Sequence, residues 1–292
     1  MPELPEVETV RRGLNHVTLH QTILGGQVLL NRTIAHPLSV PEFLVGLQET
    51  AIAQWHRRGK YLLAELFTPD SPAGWLGVHL RMTGQLLWLD QAEPLQKHAR
   101  VRLFFAGNKE LRFVDQRTFG QMWWVPPDQP PEHVITGLQQ LGPEPFSDEF
   151  SVSYLEEQLR QRRRPIKNAL LDQALVAGVG NIYADEALFL SGIHPQTLCT
   201  ELERSQIERL RQTLLQVLQA SIDARGTTIS TFRDVEGVNG NYGGMAWVYA
   251  RNGEHCRTCD TIIQRLKLAG RSAHFCPSCQ PSAMLTRLRQ SE

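Results

Sequence analysis

Four of the five cysteines form two Cys-x2-Cys pairs near the end of the 292-residue chain. The pairs are Cys256/Cys259 and Cys276/Cys279, a spacing typical of a four-cysteine zinc site whose intervening arm forms a β-hairpin. Sulfur would occupy all four tetrahedral positions, so no position would remain for a catalytic water. The spacing therefore predicts one structural Zn2+ ion that folds a small finger. The remaining thiol, Cys199, is expected to be buried and unreactive.

A second chemically capable group lies at the start of the sequence, which reads MPELPEVETV. Met1 precedes a small residue and is readily trimmed, which would give Pro2 a free secondary amine. Such an amine can attack an aldehyde-like carbon and form an iminium, the chemistry that lysine performs in Schiff bases. Glu3 and Glu6 provide carboxylates that can carry protons within reach of it. A Pro-Glu pair alone is a weak signal, so its surroundings must support the interpretation.

The element behind Pro2 is predicted to be a short amphipathic helix over residues 5–15. Val7, Val10 and Leu14 recur at helical spacing, and Pro5 suits a first-turn position. The terminal amine would then lie beside a helix N-terminus, whose dipole disfavours an added proton and so favours a nucleophilic amine.

The rest of the chain divides into a strand-rich part and a helical part. Residues 20–125 contain short apolar or alternating runs separated by turn residues, which predicts an antiparallel sandwich or barrel. A Pro- and Gly-rich linker follows, and the period then becomes helical in segments such as SVSYLEEQLRQR and IKNALLDQALV. The Gly- and Asn-rich segment after Gly226 predicts a mobile loop that holds no regular element. The fold class is therefore mixed α and β, with two domains.

Charge and hydropathy limit the location and partners of the protein. The 30 basic and 30 acidic residues give no net charge, so composition alone does not indicate nucleic-acid binding. Arginine-rich clusters at 57–60, 160–167 and 251–271 could still form basic faces that bind phosphate, with solvated surface as the alternative for each. No apolar run is long enough to cross a bilayer and no basic leader precedes one, so we expect a cytosolic or nucleoid-associated protein without a membrane partner.

Six separated motifs occur in one order along nearly the whole chain. They are PELPEVETVRRGL at the start, RRGKYLL at 57–63, HLRMTG at 79–84, DQRTFG at 115–120, GVGNIYADEALF at 178–189, and the four-cysteine finger. Together they closely resemble the formamidopyrimidine-DNA glycosylase family of base-excision repair enzymes.

The resemblance implies an N-terminal antiparallel β-sandwich with a short N-terminal helix, then an α-helical domain with a helix-two-turn-helix and a zinc-finger hairpin. The boundaries that we expect are 1–130 for the catalytic sandwich, 131–147 for the linker, 148–232 for the helical domain, 233–250 for a flexible lesion-capping loop and 251–285 for the finger.

The resemblance also implies an activity, which is the removal of 8-oxoguanine and formamidopyrimidines from duplex DNA followed by strand cleavage through β,δ-elimination. Pro2 resembles the nucleophile that attacks C1′ once Met1 is removed, and Glu3 resembles the proton donor that opens the sugar and releases the base. Glu6 matches a carboxylate that orders the terminus. Lys60 matches the lysine of the β-elimination step, and Arg271 matches the finger arginine that grips a phosphate and is linked to δ-elimination.

DNA contacts follow from the same resemblance, because a target base must be extruded from the duplex and the gap filled. Met82 and Phe119 resemble apolar wedges, and Arg117 resembles the residue that bonds to the orphaned partner base. Plain core positions are the alternative for the two wedges. The other residues at family DNA-contacting positions are His98, Arg162, Asn181 and Tyr183. We expect damaged duplex DNA as the partner, zinc as the cofactor and a monomer.

Two alternatives have distinguishable sequence features. The sister group, endonuclease VIII, prefers oxidised pyrimidines, typically has Gly where this chain has Leu4, and draws its wedges from one loop. Leu4 and the wedge residues split between two loops favour the oxidised-purine branch. A non-catalytic DNA-binding protein would keep the finger without turnover, but Pro2, Glu3 and Lys60 are all present and argue against it.

Overall fold

The computed structural model describes residues 1–227 and 234–282. The chain forms two compact units, each described here by itself. The first, which we call the sandwich unit, comprises residues 1–140 and 222–243, and the second, the helical unit, comprises residues 141–221 and the chain from 244 onward.

Two β-sheets form the body of the sandwich unit. The first has the antiparallel order β1 (Gly25–Val28), β7 (Ala99–Phe105), β8 (Lys109–Asp115) and β6 (Gly84–Asp90). The second has the order β2 (Ile34–His36), β9 (Gln121–Val125), β5 (Ser71–His79), β4 (Tyr61–Thr68) and β3 (Ala51–Arg58). The β2–β9 pair is parallel, which departs from the expected antiparallel sandwich. Strand β2 follows a 3-10 turn and joins the sheet edge away from any hairpin, so its direction is not fixed by a tight turn.

The core of the sandwich unit lies between the two sheets and helix α1 (Leu4–Thr18). Side chains alternate along each strand, so β7 shows a strict buried and part-buried alternation and contributes Val101, Leu103 and Phe105 to the core. The predicted amphipathic helix is confirmed, because Val7, Val10 and Leu14 are all fully buried. It extends three residues beyond the predicted end. Two further helices, α2 (Val40–Leu47) and α3 (Pro131–Val134), belong to this unit.

The helical unit contains α4 (Val152–Arg160), α5 (Ile166–Leu170) and α6 (Asn181–Leu190), and most of α7 (Arg204–Asp223). Strands β10 (Gln264–Leu268) and β11 (Arg271–Phe275) pair in the predicted finger hairpin. The IKNALLDQALV segment is helical only at its start. Asp172 Oδ1 accepts a hydrogen bond from the Ala174 N–H at 3.1 Å, and Gln173 binds the Gly178 N–H at 3.0 Å and the Val179 carbonyl at 2.9 Å. These local bonds replace the helical ones and end α5.

From residue 234 onward, the Gly- and Asn-rich segment is more regular than its composition predicts. Its residues 228–233 lie outside the described part, as do the last residues expected for the helical domain and for the finger. Beyond them, Tyr242–Met245 forms a 3-10 helix, so the expectation of no regular element is wrong. The buried Asp234 accepts hydrogen bonds from the N–H groups of Glu236, at 3.0 Å, and Val238, at 2.8 Å. This side chain fixes a turn that the glycines alone would leave undetermined.

None of the helices in the described ranges combines the length and the apolar character that crossing a membrane requires.

Candidate active site and zinc finger

The N-terminal residues are held by a capping box at the start of α1. Glu3 is the N-cap. The Glu3 N–H donates to Glu6 Oε2 at 2.8 Å, and the Glu3 side chain accepts the backbone N–H of Glu6. The other oxygen, Glu6 Oε1, accepts the Thr227 N–H at 2.8 Å. Pro2, Glu3 and Glu6 are all buried. One carboxylate therefore fixes the backbone of both Glu3 and Thr227.

Lys60 lies in the tight turn between β3 and β4, where Gly59 has a φ of 55°. Its side chain is largely buried, and next to it on β4 Tyr61 pairs in register with His79 of β5. Burial and the positive charges of Arg81 and Lys60 lower the pKa of His79 to about 3. The ring is therefore neutral at neutral pH, and its Nδ1 accepts the Arg81 N–H at 2.9 Å.

A charge cluster ties α1 to the turn that carries Lys60. Glu8 on α1 accepts hydrogen bonds from two arginines of its own helix, Arg11 at 2.7 Å and Arg12 at 2.9 Å. Its second oxygen accepts Arg57 Nε at 3.3 Å, and Arg57 Nη1 donates to the Gly59 carbonyl at 3.2 Å. Burial would raise the pKa of Glu8, but the arginines outweigh it and lower the pKa to about 2. The first helix and the RRGK turn are thus fixed to each other.

This cluster makes a pH-dependent contribution to stability. Because the pKa of Glu8 falls from 4.5 to about 2 on folding, its contribution is complete above pH 4.5 and is lost as the pH falls towards 2. We expect Glu8→Gln to lower the melting temperature of the sandwich unit by a few degrees at pH 7, and the difference from wild type to shrink at pH 3. Near-UV circular dichroism melts measure it, with the half-exposed Glu65→Gln as control. A difference that stays constant between pH 7 and pH 3 would contradict the assignment.

The three predicted wedge residues lie on two neighbouring loops of the sandwich unit. Met82 follows β5, whereas Arg117 and Phe119 lie between β8 and β9, and the register of β6 with β8 places Gly84 opposite Asp115. Phe119 is 52% exposed, and the Arg117 guanidinium lies 5.0 Å from its ring centroid. Exposure excludes a core role for Phe119, while Met82 is half-buried.

His98 lies in the turn before β7, close to the loop that carries Arg117. Its carbonyl accepts the Asp115 N–H at 2.9 Å, and its Nδ1 lies 3.1 Å from Arg100 Nη2. The structure therefore brings Met82, His98 and the Arg117 loop together within one unit.

In the helical unit, the predicted DNA-contacting residues differ in how they are presented. Asn181 is the first residue of α6, and its Oδ1 is buried and accepts no hydrogen bond from the described residues. Arg162 donates through Nη1 to the Gln158 carbonyl at 2.6 Å. Tyr183 is fully buried, with its hydroxyl 2.5 Å from Ser221 Oγ, so its ring faces the interior. Asn181 is thus the best placed of the three to take a ligand at a helix N-terminus.

The four cysteines form a single cluster. Their Sγ atoms all lie within 4.8 Å of one another, with Cys259 Sγ 3.4 Å from those of both Cys276 and Cys279. Four sulfurs at about 2.3 Å from one zinc lie about 3.8 Å apart, so the cluster fits this ion. The Cys279 N–H donates to Cys276 Sγ at 3.5 Å, as amides do around thiolates. The predicted four-cysteine set is confirmed.

Arg271 lies at the tip of the finger hairpin. Ala269 and Gly270, with φ of 44° and 80°, form a two-residue turn of the kind that closes tight hairpins, and exposed Arg271 follows directly.

A buried ion network, which the sequence did not reveal, holds this hairpin to the helices. Lys167 Nζ forms an ion pair with Asp185 Oδ1 at 2.5 Å and donates a hydrogen bond to the Ser272 carbonyl, also at 2.5 Å. Asp185 Oδ2 in turn accepts the His274 backbone N–H at 3.0 Å and lies 3.0 Å from its Nδ1. The neighbouring Glu186 accepts three backbone N–H groups of residues 247–249, although burial raises its pKa. Of these two consecutive acidic residues of α6, Asp185 therefore holds the finger hairpin and Glu186 holds the segment 247–249 that precedes the finger.

Relatives with known names resemble the chain over nearly its full length. It is 66% identical over 284 residues to the formamidopyrimidine-DNA glycosylase of Acaryochloris marina, covering 97% of this chain and all of that protein. It is 67% identical over 280 residues to that of Nostoc punctiforme, covering 96% of each. The crystal structure of a Lactococcus lactis FPG mutant with Fapy-dG-containing DNA has a TM-score of 0.88 at 35% identity, covering 96% of this chain and all of that one. A structure of MutM with carbocyclic 8-oxo-G-containing DNA has a TM-score of 0.87 at 35% identity and the same coverage.

Family models match three consecutive parts of the chain. They describe the formamidopyrimidine-DNA glycosylase N-terminal domain at residues 1–122, the H2TH domain of the same enzyme at 141–233, and a zinc finger found in FPG and IleRS at 253–281. A sandwich with a Pro-Glu terminus, followed by such a helical domain and finger, defines a DNA glycosylase of base-excision repair. The chain belongs to the formamidopyrimidine-DNA glycosylase family.

Proposed function

We propose that this protein excises 8-oxoguanine and formamidopyrimidines from duplex DNA and then cleaves the strand through a Schiff base at Pro2. The observation that carries the proposal is the capping box, which fixes Glu3, the residue after Pro2, at a helix N-terminus. The family relatives solved with Fapy-dG and 8-oxo-G DNA support the same class of substrate.

The proposed chemistry begins when Met1 is absent. The Pro2 nitrogen forms a bond to C1′ as the bond from C1′ to the base breaks, and Glu3 relays the proton that the amine loses to the departing base. Glu3 then donates a proton to the ring oxygen of the sugar, the bond from C1′ to that oxygen breaks, and the nitrogen lone pair forms the iminium. The resulting iminium makes a C2′ proton acidic, and its removal expels the 3′ phosphate. Lys60 assists this β-elimination, and a second elimination that expels the 5′ phosphate involves Arg271. Glu6 acts by fixing the terminus.

DNA binding is assigned to surfaces on both units. Met82 and Phe119 fill the gap left by the extruded base, and Arg117 bonds to the orphaned partner base. His98, Arg162 and Asn181 contact phosphates. The buried ring of Tyr183 limits this residue to a contact through its backbone or to packing behind Asn181. These contacts are supported by exposure of the Arg117 loop and by the placement of Asn181 at the start of α6.

The domain boundaries, assembly and location complete the proposal. We retain the catalytic sandwich over 1–130, the linker over 131–147, the helical domain over 148–232, the lesion-capping loop over 233–250 and the finger over 251–285. The enzyme acts as a monomer on nucleoid DNA in the bacterial cytoplasm.

Borohydride trapping tests this function. The reagent reduces an iminium to a stable amine, so wild-type protein incubated with an 8-oxoguanine duplex should become covalently attached to the DNA. Mass spectrometry of the attached peptide should place the bond at Pro2 and show that Met1 is gone. Protein with a blocked N-terminus serves as the control and should not be trapped. Absence of trapping with a verified free Pro2 would contradict the proposal, and trapping only on oxidised pyrimidines would place the enzyme with endonuclease VIII.

A further inference from the structure

The two loops that carry the wedge residues meet at one buried carboxylate. Asp115, the last residue of β8, is 1% exposed although the exposed loop that carries Arg117 and Phe119 begins directly after it. We propose that Asp115 and Thr83 are positioning residues that hold the Met82 loop and the Arg117–Phe119 loop in one arrangement, so that all three side chains enter the duplex together. The inference rests on the proposed function, because it concerns how the base is extruded.

Hydrogen bonds connect the loops in both directions. Asp115 Oδ1 accepts the Thr83 hydroxyl at 2.5 Å and the Arg117 N–H at 3.2 Å, and Oδ2 accepts the Gly120 N–H at 2.8 Å. The Thr83 hydroxyl oxygen also accepts the Arg117 N–H at 3.0 Å. One carboxylate therefore closes the second loop at both ends, and Thr83 attaches the first loop to it.

The backbone of this loop pair is strained, so it needs such anchoring. Thr118, between Arg117 and Phe119, is β-branched yet has a φ of 58°, and Arg81, beside Met82, has a φ of 54°. Left-handed conformations of such residues persist only where surrounding contacts fix them. Without the carboxylate the loops would relax to other conformations.

Close approach of Gly120 is part of the same arrangement. A Cβ at this position would collide with the Phe113 ring and would lie 3.1 Å from the Asp115 carboxylate. Glycine lets the Gly120 N–H reach Oδ2, so any side chain there would push the end of the wedge loop away from Asp115.

His98 is also connected to this carboxylate residue, through the backbone of Asp115. The Asp115 N–H donates to the His98 carbonyl at 2.9 Å, and the Asp115 carbonyl accepts Arg100 Nε at 2.8 Å. All four DNA-contacting positions assigned to the sandwich unit are therefore connected to Asp115.

Activity on two substrates distinguishes a residue that positions the wedges from a residue that only stabilises the sandwich unit. An abasic nucleotide has no base to unstack, so its cleavage depends less on the wedges than the excision of 8-oxoguanine does. A residue that only stabilises the sandwich would affect both substrates equally, whereas a residue that positions the wedges affects the intact lesion more.

The test compares Thr83→Val, which removes the hydroxyl but keeps the shape, with Thr83→Ser, which keeps the hydroxyl. We expect Thr83→Val to slow single-turnover excision of 8-oxoguanine opposite C about tenfold, and to slow cleavage of the same duplex with an abasic site less than about twofold. Thr83→Ser and the matched variant Thr68→Val, at the end of β4, should behave as wild type. Fluorescence of 2-aminopurine next to the lesion should rise more slowly in Thr83→Val, because the base stack opens more slowly.

Asp115→Asn provides a second measurement, since it keeps the size and one acceptor oxygen. It should show the same selectivity, while circular dichroism confirms that the sandwich is folded. Equal losses on both duplexes, or unchanged excision in Thr83→Val, would overturn the inference and leave the proposed function intact. Wild-type inactivity on both duplexes would contradict the proposed function and the inference together.

Discussion

Glu3→Gln is expected to slow 8-oxoguanine excision by about 10²- to 10⁴-fold, the range associated with loss of a general acid. Glutamine has the size of glutamate and retains an oxygen that can accept the Glu6 N–H in the capping box. The start of α1 and the position of Pro2 should therefore survive the substitution. What is lost is the proton that opens the sugar and accompanies the departing base.

The measurement is single-turnover excision together with borohydride trapping on two duplexes. An abasic sugar already exists partly as the open aldehyde, so trapping of Glu3→Gln on abasic DNA should persist while trapping on 8-oxoguanine DNA disappears. The half-exposed Glu65→Gln, which makes the same chemical change on β4, should leave both reactions unchanged. Wild-type excision by Glu3→Gln would remove Glu3 from the mechanism, and failure on both duplexes would indicate a displaced terminus instead.

The elements that the sequence predicted well are those fixed by local pattern. The spacing of Val7, Val10 and Leu14 specifies the buried face of α1, and the Cys-x2-Cys pairs specify the finger hairpin, because both depend on residues close in the chain. The parallel β2–β9 pair was not predictable in this way, since it joins segments about 85 residues apart whose register no turn dictates.

The hydrogen bonds and ion pairs that support the site were harder to predict from the sequence than the residues proposed to do its chemistry. Thr83 and Asp115 both lie inside quoted motifs, yet nothing in either residue type shows that a hydroxyl after Met82 meets a carboxylate before Arg117. The pairing of Lys167 with Asp185 is equally non-local in the chain. Two adjacent acidic residues within the largely apolar α6 were the one available signal, because buried acids require partners.

Loss of zinc is expected to abolish specific DNA binding while the sandwich unit stays folded. The core around the cysteine cluster is small, with Phe189, Val248 and Ile263 as its buried members besides Cys256 and Cys276. Binding of a structural zinc contributes on the order of 10–16 kcal/mol in zinc-finger peptides, more than so few side chains can provide. Without the ion the hairpin that presents Arg271 should not persist.

Tryptophan positions allow the two units to be followed separately. Five of the six tryptophans belong to the sandwich unit, whereas Trp247 stacks on Phe189 beside the cysteine cluster, with ring centroids 5.8 Å apart. The contribution of Trp247 to the near-UV spectrum is the difference between the wild type and Trp247→Phe. Chelation of the zinc, or Cys276→Ser, should remove this contribution and leave the rest of the spectrum unchanged. Elemental analysis should show one zinc in the wild type and none in Cys276→Ser.

Cys199→Ala is the matched control, because Cys199 lies outside the cluster and burial raises the pKa of its thiol to about 11. This variant should keep its zinc and its DNA affinity.

The salt dependence of the DNA affinity that remains without zinc shows whether the finger contributes phosphate contacts. Each lost phosphate contact lowers the slope of log Kd against log salt concentration by about one, so removal of Arg271 and its neighbours should flatten the plot measurably. A flattened slope with an unchanged sandwich spectrum is the expected result. If Cys276→Ser lost its zinc but kept both the affinity and the slope, the finger would not contact phosphate, and the assignment of Arg271 to the second elimination would fail with it. The buried Lys167–Asp185 pair cannot replace the zinc, because the hairpin that Lys167 contacts depends on the zinc cluster for its folding.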